Sequence, residues 1–149
     1  MELKFYKSIR TFFGLGYISP FPGTLASLVT IFIIWLIQNE FGIQITIICL
    51  IFLTLIASIA IENDSDKRND PKEIVIDEVI GQSLVLIFLP LTYKDYILGF
   101  IFFRFFDIYK PFPIKFFEQK YQNSFGIIFD DIIAAVYALL TIYIINIIF

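Results

Sequence analysis

The sequence predicts an all-α fold, a polytopic membrane helical bundle of about five embedded helices in a single domain covering 1–149. Three observations carry this. Hydrophobic residues make up 58% of the chain and its mean hydropathy is +0.83, whereas soluble globular chains hold about 45–50% apolar residues. Only 17% of residues are charged and 19 are Phe, too little polar surface to coat a water-soluble fold. The apolar runs are rich in Leu and Ile without strict alternation, which excludes a β-barrel.

Taken in order, residues 1–24 read as an amphipathic, partly interfacial segment that ends in G-L-G-Y-I-S-P-F-P-G-T. Its glycines and prolines fix a loop, with Thr24 or Ser27 expected to cap the next helix. No long apolar stretch with a small-residue cleavage site follows Lys4, Lys7 and Arg10, so no signal peptide is expected. Leu25–Ile37 is the first apolar segment, closed by Gln38-Asn39-Glu40 and Gly42. Ile43–Ile61 is the second, and its 19 residues suit a crossing that takes about 20. The polar stretch Glu62–Glu78 follows, and its acids up to Glu73, including Asp64-Ser-Asp66, are read as solvated loop.

Val79–Phe106 is either one long span or two segments broken at Pro90-Leu-Thr-Tyr-Lys94-Asp95, and charge placement decides. With a break, Lys4, Lys7, Arg10, Lys67, Arg68, Lys72, Arg104, Lys110, Lys115 and Lys120 share one side, and of the 11 basic residues only Lys94 is opposite. A single span buries Lys94 and Asp95 in mid-membrane and sends Lys110, Lys115 and Lys120 across. The positive-inside tendency favours the broken version, with the N-terminus cytoplasmic and the C-terminus beyond the membrane. Ile127–Phe149 is the last segment, with Asp130 and Asp131 near its start.

Several function classes drop out. A net charge of −3 gives no electrostatic footprint for nucleic acid. His is absent, which removes phosphohistidine intermediates, imidazole bases and imidazole metal ligands together. The lone Cys49 lies inside an apolar run, where a reactive thiolate is disfavoured. No feature specifies an oligomeric state.

The predicted topology has a consequence for the acids. Asp77 and Glu78 open the third helix, Asp107 closes the fourth, and Asp130 and Asp131 open the fifth, so all five meet at the cytoplasmic membrane boundary. Carboxylates gathered there repel one another and are costly to desolvate unless a cation joins them. A donor set of oxygens alone suits Mg²⁺. Helix-dipole capping explains acids at helix starts, but Asp107 stands at a helix end, where the dipole opposes it. In F-R-F-F-D-I-Y-K-P-F-P (103–113), Arg104, Asp107 and Lys110 follow at three-residue steps. On a helix they form one row, two cations flanking a carboxylate, suited to a phosphate beside a metal.

With these motifs in hand, the chain resembles the phosphatidylglycerophosphatase A family of bacterial membrane lipid phosphatases. The matching pieces are G-L-G-Y-I-S-P-F-P-G-T-L-A-S (14–27), I-D-E-V-I-G (76–81), the 103–113 stretch and G-I-I-F-D-D-I-I-A-A (126–135). Four motifs in family order across 10–140 make a specific signal; Ala26 stands where the family often has Gly. The resemblance implies Mg²⁺-dependent hydrolysis of phosphatidylglycerophosphate to phosphatidylglycerol in the bacterial inner membrane, at its cytoplasmic face. Carried over by motif, Asp77, Glu78, Asp107, Asp130 and Asp131 are the catalytic and metal-holding acids, with Arg104 and Lys110 beside them on the phosphate. Ser19 and Thr24, in the S-P-F-P-G-T loop, are expected to hold the phosphate or the glycerol portion, and Phe102, Phe103 and Phe106 the acyl chains. The nucleophile stays open between a water held by metal and a carboxylate.

Three alternatives stand beside this reading. A CDP-alcohol phosphotransferase also clusters Asp at a membrane edge, but its D-x-x-D-G-x-x-A-R pattern is missing. A phosphatase acting on phosphatidic acid fits the residues equally. A small ion carrier or channel subunit would place acids at mid-helix depth rather than at helix ends.

Overall fold

The computed structural model describes residues 2–63, 71–116 and 124–148, which form helices and turns without a strand. The acids Asp64 and Asp66, with Lys67, Arg68 and Lys120, lie outside the described residues. Helix α1 is Glu2–Arg10 and a 3₁₀ turn covers Leu15–Tyr17. Helix α2 is Pro22–Glu62, α3 is Ile76–Ile87, α4 is Tyr93–Tyr109 and α5 is Ser124–Ile148.

Helix α2 begins with Pro at its first turn, where a missing N–H costs nothing. No side chain caps it, so the expected cap from Thr24 or Ser27 is not made; both residues lie inside the helix. Its 41 residues would reach about 62 Å if straight, twice the ~30 Å apolar thickness of a bilayer. Gly42 interrupts it with φ 78° and ψ 173°, a conformation open to glycine and closed to side chains. The predicted break over Gln38–Gly42 is therefore a single residue, and Gln38-Asn39-Glu40 stay helical. Beyond Gly42 the chain doubles back. Ala26 and Ala57 would stand about 46 Å apart on a straight helix, yet both join one core cluster with Val75–Ile80, a stretch about 8 Å long. The two limbs thus lie side by side.

Helix α3 ends at Ile87 and α4 starts at Tyr93, so the chain breaks at Pro90 as charge placement predicted. Thr92 caps α4 by accepting from the Asp95 N–H at 3.1 Å. Gly81 faces the Phe103 ring and Gly99 faces Val85, an antiparallel register. Nine of the 12 residues of α3 are buried, and it packs against α2, α4 and α5. At about 18 Å it is a buried core helix, too short to cross a bilayer alone. Ala134, Ala138 and Ile142, four apart and fully buried, form the inner stripe of α5.

Among the described residues, two helices are long and apolar enough to cross a membrane, α2 and the Gly126–Ile148 part of α5. Phe32, Leu36, Ile48, Phe52 and Leu55 of α2 and Ile144 of α5 are exposed apolar side chains, a surface suited to lipid. Phe103, expected against acyl chains, is instead fully buried between α3 and α5, because Gly81 and the alanines of α5 leave room for its ring. Phe102 and Phe106 are half-buried in the same cluster.

Candidate active site

The start of α2, the start of α3, the end of α4 and the first part of α5 converge at one end of the bundle. The first element there is a glycine. A Cβ on Gly23 would occupy the place of Glu78 Oε1 and come within 3.2 Å of Arg104 Nη2. The P-G-T turn therefore presses bare backbone onto the acidic side chains of α3 and the cation of α4.

Asp77 and Glu78 of α3 and Asp131 of α5 form a trio whose ligand-capable oxygens all lie within 4.8 Å of one another. Asp77 Oδ1, Glu78 Oε2 and Asp131 Oδ2 are buried and have no hydrogen-bond partner. The other two acids are engaged by cations. Arg104 Nη1 stands 2.5 Å from Asp107 Oδ2 and 3.9 Å from Glu78 Oε1, and Lys110 Nζ donates to Asp130 Oδ2 at 2.9 Å. Asp107 and Asp130 remain close enough for their charges to act on Asp77.

All five predicted acids thus meet at one end, but they divide into a trio that keeps unpaired oxygens, Glu78 only loosely paired with Arg104, and two members in close ion pairs. The predicted row Arg104, Asp107, Lys110 divides too. Arg104 pairs with Asp107 along the helix, whereas Lys110 caps α4 in a left-handed conformation and reaches across to α5. Asp130 and Asp131 lie past the first turn of α5, because the helix starts at Ser124 rather than at 127. Dipole capping therefore does not account for them.

Ser19 Oγ accepts from the Phe21 N–H at 3.1 Å, a turn that shapes the loop before α2. Thr24 is half-buried in the first turn of α2, beside Gly23. Gly23 and Gln82 were not singled out as site residues from sequence. Gln82 had a legible signal: with Ser83 it makes a polar pair in the stretch of α3 after Glu78 that is otherwise apolar.

The trio fits a divalent cation on its own terms. Three carboxylates share one spot, each leaves a buried oxygen without a hydrogen-bond partner, and no ion pair joins Asp77 or Asp131 among the described residues. Desolvated like charges at this separation need a shared cation or shared protons. Hard oxygen donors select Mg²⁺ or a similar ion.

Comparison with known proteins shows the family. The family model described as Phosphatidylglycerophosphatase A matches residues 8–146. The Phosphatidylglycerophosphatase A of Haemophilus influenzae is 36% identical over 134 residues, covering 88% of this chain and 82% of its own. That of Escherichia coli is 31% identical over 127 residues, covering 83% and 73%. A relative from Bacteroides thetaiotaomicron, 34% identical over 144 residues and covering 90% and 89%, carries the provisional name of a phosphatidylinositol-3-phosphatase. No solved structure matches. With a family match over nearly its whole length and relatives 36% and 31% identical over most of it, the chain belongs to the phosphatidylglycerophosphatase A family.

Proposed function

We propose that this protein removes the terminal phosphate of phosphatidylglycerophosphate, yielding phosphatidylglycerol and inorganic phosphate, with Mg²⁺ held by Asp77, Glu78 and Asp131. The observation that carries this reading is the trio of carboxylates from two helices, each with one buried oxygen left without a hydrogen-bond partner, beside the Arg104 guanidinium. Bound there, the cation supplies positive charge to the phosphate oxygens and makes a nearby water more acidic. Asp107 fixes the Arg104 fork, whose buried Nε has no partner and is available to a phosphate oxygen. Asp130 holds Lys110 at the mouth as the second cation. Ser19 shapes the turn and Thr24 lines the first turn of α2, where backbone N–H groups suit an anion.

In this reading the N-terminus is cytoplasmic and the site lies at the cytoplasmic boundary of the bacterial inner membrane. The distribution of basic residues supports it, because among the described residues Arg10, Arg104 and Lys110 lie at the end of the bundle that holds the acids, and Lys94 starts α4 away from it. The two limbs of α2 and α5 cross the bilayer; α3 and α4 are embedded among them.

The test is phosphate release by purified protein in mixed micelles. Phosphatidylglycerophosphate should be hydrolysed with Mg²⁺, activity should vanish with EDTA, and Mg²⁺ should restore it. Full activity in EDTA would remove the metal assignment. Phosphatidic acid and phosphatidylinositol 3-phosphate belong in the same assay, and preferential hydrolysis of either would replace the substrate while leaving the enzyme class.

A further inference from the structure

Beneath the carboxylates the structure holds a second polar layer that the reaction above does not use. Gln82 and Ser27 are both 0% exposed, and neither the Gln82 amide nitrogen and oxygen nor Ser27 Oγ has a hydrogen-bond partner. Their neighbours show that this is not general to the bundle. The buried hydroxyl of Thr30 donates to the Ala26 carbonyl at 2.7 Å and that of Ser83 to the Val79 carbonyl at 2.6 Å, each folded back onto its own helix. Ser27 makes no such bond.

The position of the two residues follows from the Gly23–Glu78 contact. Ser27 lies four residues after Gly23 on α2, and Gln82 four residues after Glu78 on α3, so each repeats the face of the residue above it. Both helices run away from the same end, which sets Ser27 and Gln82 on facing turns about 6 Å deeper than the carboxylates. Ala26, next to Ser27 in sequence, and Val79 and Ile80, on the turn of α3 before Gln82, belong to one buried apolar cluster. An apolar wall rejects charge, so cations and phosphate stay in the layer above. An amide and a hydroxyl together offer donors and acceptors without charge, which matches a single neutral O–H group.

We propose that Gln82 and Ser27 form a hydroxyl-binding floor beneath the carboxylates and are positioning residues for the reaction. The hydroxyl comes from the substrate, as the free headgroup hydroxyl next to the phosphorylated carbon, or from a water that orients the carboxylates above. This rests on the lipid phosphatase reading. Buried polar atoms left unpaired destabilise a fold, and replacing them by apolar groups of similar shape is nearly neutral or stabilising. Gln82→Leu and Ser27→Ala should therefore leave Tm unchanged or raised while slowing catalysis. A role confined to packing gives the opposite pattern.

The experiment measures Tm, kcat and KM of the full chain and of both variants in mixed micelles with Mg²⁺. The substrates are phosphatidylglycerophosphate and an analogue whose free headgroup hydroxyl is replaced by hydrogen. We expect each variant to lose roughly tenfold or more in kcat/KM on phosphatidylglycerophosphate at unchanged or higher Tm. If the unaltered protein prefers phosphatidylglycerophosphate and the variants do not, the floor binds the headgroup hydroxyl. If both substrates are slowed equally, mainly in kcat, it binds water. Unslowed variants overturn the proposal, as does a Tm loss with normal activity per folded molecule. Ser27→Ala, the smaller change, carries the test alone if Gln82→Leu does not fold. An unaltered protein inactive on both substrates overturns the lipid phosphatase reading first, and this proposal with it.

Discussion

The two ends of the bundle treat buried carboxylates in opposite ways. At the far end, Asp95 is only 8% exposed, but its carboxylate is bonded to Thr92 Oγ1 and its N–H donates to the same oxygen. Around it Tyr96 donates to Gln38 at 3.1 Å, and Trp35 stacks on Tyr93 with ring centroids 4.9 Å apart. Trp and Tyr in this setting suit a membrane–water interface. At the near end, Asp77, Glu78 and Asp131 leave buried oxygens unpaired although the Arg104 guanidinium stands 3.9 Å from Glu78 Oε1. Burial of an acid is therefore not what marks a site here. A satisfied acid is architecture, and an unsatisfied group of acids is held for something that arrives.

That contrast can be broken most severely at Asp131. Asp131→Asn should lower phosphate release by roughly a thousandfold or more, with Tm held or raised because one repelling charge is gone. Activity assays beside thermal melts measure both, and an active variant would show that the trio is not the reaction centre. Gly23→Ala comes next. Its methyl displaces the flexible end of Glu78 rather than backbone, so the fold should survive while activity falls by roughly ten- to a hundredfold. Normal activity would mean that the position of Glu78 does not matter. The smallest effect belongs to the far end. Thr92→Ala should cost about 1 kcal/mol of stability through the lost cap and leave turnover per folded molecule unchanged. A large loss of activity with intact stability would erase the distinction between the ends.

Much of the fold was legible in the sequence because its signals are local or additive. Hydropathy and helical run length marked the helices. Pro90 and the polar residues after it marked the break between α3 and α4, since the alternative buries Lys94 and Asp95 in hydrocarbon. Positive-inside counting then drew five acids from three segments together, and the structure gathers them at one end of the bundle. The detail that failed was equally physical. Thr24 and Ser27 were expected as caps, but Pro22 starts the helix earlier. Phe103 was expected at the lipid, but the small residues opposite it draw its ring into the core.

By itself, then, the sequence determined the helical class, the places where helices stop, and which residue types could meet, because hydrophobicity, proline and charge act through composition and nearest neighbours. Only the tertiary structure decided which acids stay open and which are tied. Lys110 chooses Asp130, 20 residues on, and Arg104 chooses Asp107, and no local pattern distinguishes those pairings from the reverse. It alone put Gly23 against Glu78 and left the polar atoms of Gln82 and Ser27 buried without hydrogen-bond partners. Those facts depend on side chains distant in sequence sharing one small volume, and packing in three dimensions sets that volume.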